Sequence, residues 1–288
     1  MDTKIVIGVG EFLWDVPPTG KKAGGAPVNF AFHASGNGVE GWAVSAVGRD
    51  TLGEELVATA KANGIKLLVS EVNYPTGTVD VLLKNGQPDY RINENVAWDY
   101  IPLTDEVLKM TAKASAITFG TLAQRSKVSR ETTQAMLKAA PKDAWKVYDI
   151  NLRQKFYSKE LIEESLKLAN VFKINNDEME ILKPMFGLED KDYDGAAQWF
   201  ISNYGLKLLV LTAGEYYSSI YSPEGKVSEI PTPKVKVEDS IGAGDSFTGT
   251  LIAELLRGRS IAEAHRSAVE TAAYVCTKSG AWHKKGCE

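Results

Sequence analysis

Short apolar runs alternate with longer stretches of helical periodicity along most of the chain. Lys4–Gly10 is a continuous apolar run closed by glycine, which predicts a buried parallel strand. A Gly/Pro loop follows, and a helix is expected over Val28–Ser35. Trp42–Val47 reads as a strand, and Thr51–Asn63 as a helix with Leu52, Leu56 and Ala60 on one face. Further strands are expected at Ala116–Phe119, Trp145–Ile150, Val171–Ile174 and Lys207–Thr212, with a small β region reaching Ile230. Helices are expected near 128–139, 158–169, 193–203, 243–257 and 260–277. Between Val69 and Ile92 the texture changes. TGTVDVLLKNGQPDYRI alternates apolar with polar residues and holds Asn85-Gly86, a strong hairpin signal. The pattern therefore predicts an α/β fold: a three-layer αβα parallel-sheet domain over 1–288, carrying a small inserted antiparallel β lid. The lid is expected from approximately 11–26 and 69–101.

Composition narrows the function. The 288 residues are 44% apolar, enough to bury a large core, and the net charge is −4 with both signs interspersed. A nucleic-acid groove needs a basic face, so that partner is not expected. No run approaches the ~18 apolar residues of a membrane helix, and no membrane partner is expected. The N-terminal MDTKIVIGVGEF reads as a first strand and not as a signal peptide. Two cysteines, Cys276 and Cys287, make no disulfide framework and fit a reducing compartment, hence a cytoplasmic expectation.

Several motifs are excluded. Gly36-Asn37-Gly38-Val39-Glu40-Gly41 matches G-x-G-x-x-G but follows a helix and leads into a strand, the reverse of the dinucleotide fingerprint. The chain has no G-x-x-x-x-G-K-[ST] and no G-x-S-x-G, and its three histidines lack metal-ligand spacing. What remains falls after strands. Asp15 follows the first, and Gly24-Gly25-Ala26-Pro27-Val28-Asn29 opens the next helix. Asp149-Ile150-Asn151-Leu152-Arg153, Asn175-Asn176-Asp177-Glu178 and Thr212-Ala213-Gly214 end three others. DSIGAGDSFTGTL, from Asp239 to Leu251, precedes a helix. Singly these are turn, cap or ion-pair residues. Together they line one edge of one sheet, where α/β sites are built. The Gly242-Ala243-Gly244 run allows a second reading besides a helix cap, in which its backbone N–H groups converge on an anion.

GGAPVNFA and DSIGAGDSFTG resemble the N- and C-terminal signatures of the ribokinase-like (PfkB) carbohydrate kinases, over essentially the full chain. Within that family GEFLWDVPP, AVGRDTLGEEL, PDYRINENVAWDYI, FGTLAQRS and DINLR resemble bacterial fructokinases most. The resemblance implies an ATP-dependent kinase acting on the primary hydroxyl of a small sugar, fructose giving fructose 6-phosphate. Ribose, keto-deoxy acid or nucleoside kinases are the nearer alternatives, and a non-catalytic sugar or nucleotide sensor the farther one. It implies an anion hole of Gly242, Ala243 and Gly244, with Asp245 as general base, ionised at neutral pH. Asp15, Gly24, Gly25 and Asn29 would line the sugar, and Arg153 would sit near the sugar or phosphoryl group. Lys173, Asn175, Thr212 and Gly214 would serve the nucleotide, although Tyr217 stands where a further glycine is common. Asn175 and Glu178 would organise Mg²⁺ through water. Asp239, Ile241, Val275, Lys278 and Gly280 would form a monovalent-cation site for K⁺. The lid segment Val79–Tyr100 and Gln124-Arg125 would distinguish substrates, and a homodimer through the lid is expected.

Overall fold

The alternation of side chains along each strand builds the layers. In a computed structural model, residues 3–16, 20–84 and 87–284 are described, with the backbone alone at 81–84 and 87–90. The chain begins β1 (Ile5–Val9), β2 (Leu13–Val16), β3 (Lys22–Gly24), α1 (Ala26–Gly36), β4 (Glu40–Gly48), α2 (Thr51–Ala62) and β5 (Lys66–Val72). It continues with β6 (Gly77–Lys84), β7 (Gln87–Ile92), α3 (Asp105–Thr111), β8 (Ala114–Phe119), α4 (Lys127–Ala139) and β9 (Trp145–Asp149). Next come α5 (Lys159–Leu168), β10 (Val171–Asn175), α6 (Asn176–Phe186), α7 (Tyr193–Tyr204) and β11 (Leu208–Thr212). The last elements are β12 (Tyr217–Ser222), β13 (Gly225–Pro231), α8 (Ala243–Leu256) and α9 (Ile261–Cys276).

Nine strands form one sheet in the order β13-β12-β11-β10-β9-β8-β1-β4-β5, parallel from β11 to β5 and antiparallel beyond β11. Ile7, Phe119, Tyr148, Phe172 and Leu209 enter a core beneath α4–α7. Their neighbours one step away, Val6, Val147, Val171 and Leu208, enter a second core with α1, α8 and α9. Both faces are thus buried, which is why these strands read as continuous apolar runs. Leu56 and Ala60 of α2 pack with Val28 and Ala43. No helix among the described residues is long and apolar enough to cross a membrane.

The second sheet has the order β3-β2-β6-β7. Its two hairpins are antiparallel, while β2 and β6 pair in parallel. That parallel seam follows from origin: β2 continues from β1 and β6 from β5, and both parents run the same way. The sequence pattern had extended this sheet back to residue 69. Residues 69–72 instead lie in β5, pairing with Ser45–Gly48 of β4 at the edge of the main sheet. Asn85-Gly86 lies outside the described residues.

Two helices escape the periodicity. α3 is only seven residues long, and α6 carries Pro184 in its last turn. The start of α6 is set by a capping box between Asn175 and Glu178.

A closed polar clamp roots the small sheet. Arg125 donates Nε to Asp99 Oδ1 (2.8 Å) and Nη2 to Asp99 Oδ2 (2.9 Å), and Nη2 also reaches the Asn93 carbonyl. Its guanidinium lies 4.0 Å from the Trp98 ring centroid and 4.7 Å from that of Phe156. Gln124 is buried and donates to Gly120 O and Ser165 Oγ. Both side chains expected to sort substrates also hold the 3₁₀ turns Ala97–Tyr100 and Leu122–Arg125, and Arg125 Nη1 is left without a partner among the described residues.

Candidate active site

β1 is the switch point of the main sheet, since the chain proceeds to β4 on one side and β8 on the other. The carboxyl ends of β1, β8 and β9 open there onto a pocket whose walls include Glu11, Pro27, Gly120, Asp149, Asn151 and Asp245. α8 points its N-terminus at this pocket. Its cap, Gly242, has φ 76°, and a Cβ there would come within 2.4 Å of the Ala281 methyl. Only glycine fits that bend. The Ala243 amide makes a 3.2 Å bond to Ser240 O, which tightens the turn. Gly244 is approached by the Lys173 ammonium, which lies 3.3 Å from where a Cβ would stand.

Asp245 is held from one side. Asn29 Nδ2 donates to its Oδ2 at 2.7 Å, and Trp282 Nε1 donates to Asn29 Oδ1 at 2.8 Å. Asn29 was expected to line the sugar; its side chain also orients the carboxylate, and Trp282 carries no sequence signal for its part. Gly25, at φ 123°, caps α1 so closely that a Cβ would meet Glu11 O at 2.2 Å. Asp245 is half-buried and borders the pocket. Burial pushes its pKa up to about 7, with the Asp149 charge adding, against the Asn29 bond and Lys173. The helix N-terminus favours the anion, but desolvation outweighs it, so the group is not firmly ionised at neutral pH.

Lys173 serves a crowd of acids. Its Nζ lies 3.2 Å from Asp149 Oδ1, while Thr248 Oγ1 lies 3.2 Å from Asp149 Oδ2. Burial alone would lower the lysine, but Asp149, Glu178 and Asp245 raise it. Glu178 Oε2 accepts from Asn175 N (2.9 Å), Oε1 from Leu152 N (2.8 Å), and Asn175 Oδ1 from Glu178 N (2.8 Å). The N-x-x-E motif is thus a capping box that also anchors the loop after β9. Burial raises Glu178, opposed by Lys173. Each of its oxygens has made one hydrogen bond and keeps a further lone pair, a hard donor set that fits Mg²⁺ held through its waters. Thr212 is the register partner of Asn175, at the same level of the sheet. Gly214 is exposed, and its carbonyl accepts from Thr232 Oγ1.

Asp15 lies on β2 opposite Lys22 of β3, and its Oδ2 borders Gly24 at 3.2 Å from a Cβ position. Burial raises it to about 6, with Asp239 adding and Lys22 and Arg153 opposing. Arg153 is exposed; its Nη1 turns back to Leu152 O. Asn151, just before, has φ 41°. Glu11 is buried, and its Oε2 has no hydrogen-bond partner among the described residues. Burial raises its pKa, against the charges of Arg153 and Arg125. A carboxylate closing an apolar strand was the available signal for Glu11. The Asp239 carboxylate accepts from Lys22 Nζ, Ile241 N and Gly280 N, and the ammonium among these donors repels a bound K⁺.

Comparison with known proteins shows the family and the fold. The chain is 27% identical to a fructokinase of Rhizobium leguminosarum bv. trifolii over 267 residues, covering 87% of this chain and 79% of that one. The crystal structure of an uncharacterized sugar kinase from Pyrococcus horikoshii superposes with TM-score 0.82 at 26% identity, covering 97% and 94% of the two chains. A fructokinase with bound ATP from Xylella fastidiosa has the same fold, with TM-score 0.84 at 21% identity over 96% and 94%. A family model described as pfkB family carbohydrate kinase matches residues 10–285, and the chain belongs to that family of sugar kinases.

Proposed function

We propose that this enzyme transfers the γ-phosphoryl group of ATP to the primary hydroxyl of fructose, giving fructose 6-phosphate. The observation that carries the reading is Asp245: a carboxylate in the first turn of α8, fixed by Asn29 at 2.7 Å, with a pKa of about 7. A base works best when its pKa lies near the working pH. In this reading Asp245 takes the hydroxyl proton as the oxygen attacks phosphorus. The amides at Gly242 and Gly244 meet the charge spreading over the phosphoryl oxygens, with that of Ala243 already given to Ser240 O, and the Lys173 ammonium adds a positive charge beside them. Asp149 and Thr248 keep that ammonium in place. Asp15, Gly24 and Gly25 border the sugar, with Glu11 as a second acceptor for a hydroxyl through its unpartnered oxygen. Arg153 stands at the mouth, and Thr212 and Gly214 flank the nucleotide. Mg²⁺, when bound with ATP, neutralises phosphate charge; Asn175 and Glu178 would orient its waters.

The reading sets the enzyme in the cytoplasm, where ATP is abundant, in keeping with its two cysteines. Strands β3 and β7 are the outer strands of the small sheet, and a homodimer through that sheet would cover such an edge. The mass of the enzyme in solution checks this.

The test of the reaction is ADP release over a panel of fructose, ribose, a keto-deoxy acid and nucleosides, with the phosphorylated carbon identified by phosphorus NMR. Fructose phosphorylated at its 6-hydroxyl with the highest kcat/KM is expected. A different preferred acceptor overturns the choice of sugar, and no transfer to any acceptor overturns the reaction.

A further inference from the structure

Lys22 joins three distant segments at one ammonium. It stands on β3 of the small sheet, and its Nζ lies 3.0 Å from Asp239 Oδ2 and 3.0 Å from Ser279 Oγ. Asp239 begins the loop that leads to the Gly242 cap, and Ser279 lies in the turn after α9. The carboxylate is otherwise held by backbone: Oδ1 accepts from Ile241 N (3.0 Å), and Oδ2 accepts a second bond from Gly280 N (3.1 Å). Burial would raise Asp239, but these N–H groups and Lys22 outweigh it and leave it lowered. It is an anion held by three donors, two of them on Oδ2.

Three carbonyls nearby accept hydrogen bonds from the chain. Cys276 O accepts from Glu238 N and Asp239 N, Val275 O from Lys278 N, and Ser279 O bonds the His283 ring. A metal ion brought to the Asp239 carboxylate would meet an ammonium already on it. Like charges so close repel, which disfavours holding both.

We infer that Lys22 is the resident cation of this loop: its ammonium ties Asp239 to the 275–280 turn beside the anion hole, as a bound monovalent metal ion would, and the enzyme needs no potassium. The charge is built into the chain and arrives with the strand that also faces Asp15. The position of the anion-hole loop is thereby linked to the small sheet. The catalytic part rests on the kinase reaction proposed above; the structural part does not.

The experiment compares wild type, Lys22→Ala and Lys22→Arg in potassium chloride and in choline chloride at equal ionic strength. Melting temperature is read without substrates, and initial rate with fructose and Mg-ATP. Wild type and Lys22→Arg are expected to show the same melting temperature and rate, within twofold, in both salts. Lys22→Ala is expected to lose tenfold or more in rate in choline, and to regain several-fold in potassium together with a rise in melting temperature. A wild-type melting temperature or rate that climbs with potassium overturns the inference. So does a Lys22→Ala loss that potassium leaves unchanged, since Lys22 is then a sheet contact only. If Lys22→Ala does not fold, Lys22→Met is used for the same comparison. Absence of sugar phosphorylation in every salt would remove the kinase reading, and the melting curves would still decide the role of Lys22.

Discussion

Two buried ionic clusters, the Asp99–Arg125 clamp and the group around Lys173, are built on opposite balances. In the clamp one acid meets one base in bidentate contact, with side chains only 6% and 7% exposed. The rings of Trp98 and Phe156 cover the guanidinium, and the charges cancel within the protein. Around Lys173 a single ammonium faces Asp149, Glu178 and Asp245, with Glu11 adding to the charge on Asp245. Burial first, and then neighbouring acid charge, raises Asp245 and Glu178 above the ordinary carboxylate range. A balanced pair gives shape. A surplus of acid beside a helix N-terminus can hold or release a proton near neutral pH.

The comparison predicts stability changes of opposite sign. Asp245→Asn removes one of the surplus acids. Burial raises Asp245 above its unfolded value, so its contribution to stability is present in acid and lost as pH rises through about 7. The variant is expected to melt higher than wild type at pH 8, the gain shrinking toward pH 4. Its turnover is expected to fall by about 10²–10⁴, with sugar affinity largely kept. A helix-cap role would show the reverse: stability down by roughly 1 kcal/mol and turnover near native. In wild type, turnover should decline as pH drops below about 7, because the base is then protonated, and the residual rate of Asp245→Asn should lack that limb.

Arg125→Ala unbalances the clamp by leaving Asp99 buried and unpaired. A loss of about 3–5 kcal/mol is expected in denaturant unfolding. A loss below about 1 kcal/mol would show that the clamp is no firmer than a surface pair.

Asp15→Ala removes an acid of the small sheet that the proposed reading sets beside the sugar. Sugar binding should weaken by about 1.5–3 kcal/mol for each hydrogen bond lost, while ATP binding changes little. Calorimetry with unchanged sugar affinity would take Asp15 out of the site. The smallest effect is kinetic: sugar should slow amide exchange along β6 and β7 if that hairpin closes over it. Equal exchange with and without sugar would leave the small sheet as an assembly surface.

Much of this architecture was legible in local pattern. Buried parallel strands announce themselves as short apolar runs, so β1, β4, β8–β11 and the helices between most of them stood near their expected bounds. β5 was taken for lid because its solvent-edge position gives it the same half-polar texture as β6. The motif residues at strand ends also converged as expected, because carboxyl ends of parallel strands share one edge. Roles were less legible than places. Asn29 orients Asp245, N-x-x-E is a capping box as well as an acid, and Gln124 and Arg125 hold the small sheet's root.

The sequence by itself determined the alternation of strand and helix, the two-sided burial, and the small residues that let α8 begin at a bare backbone turn. These depend on neighbours within a few positions, and local sterics and periodicity decide them. Only the tertiary structure decided which charges meet. Lys22 finds Asp239 across 217 positions, Trp282 reaches Asn29 across 253, and Asn29 reaches Asp245 across 216. Such pairings follow from strand order and from which loops share an edge. The raised pKa of Asp245 depends likewise on the walls that exclude water from it, which are assembled from segments far apart in the chain.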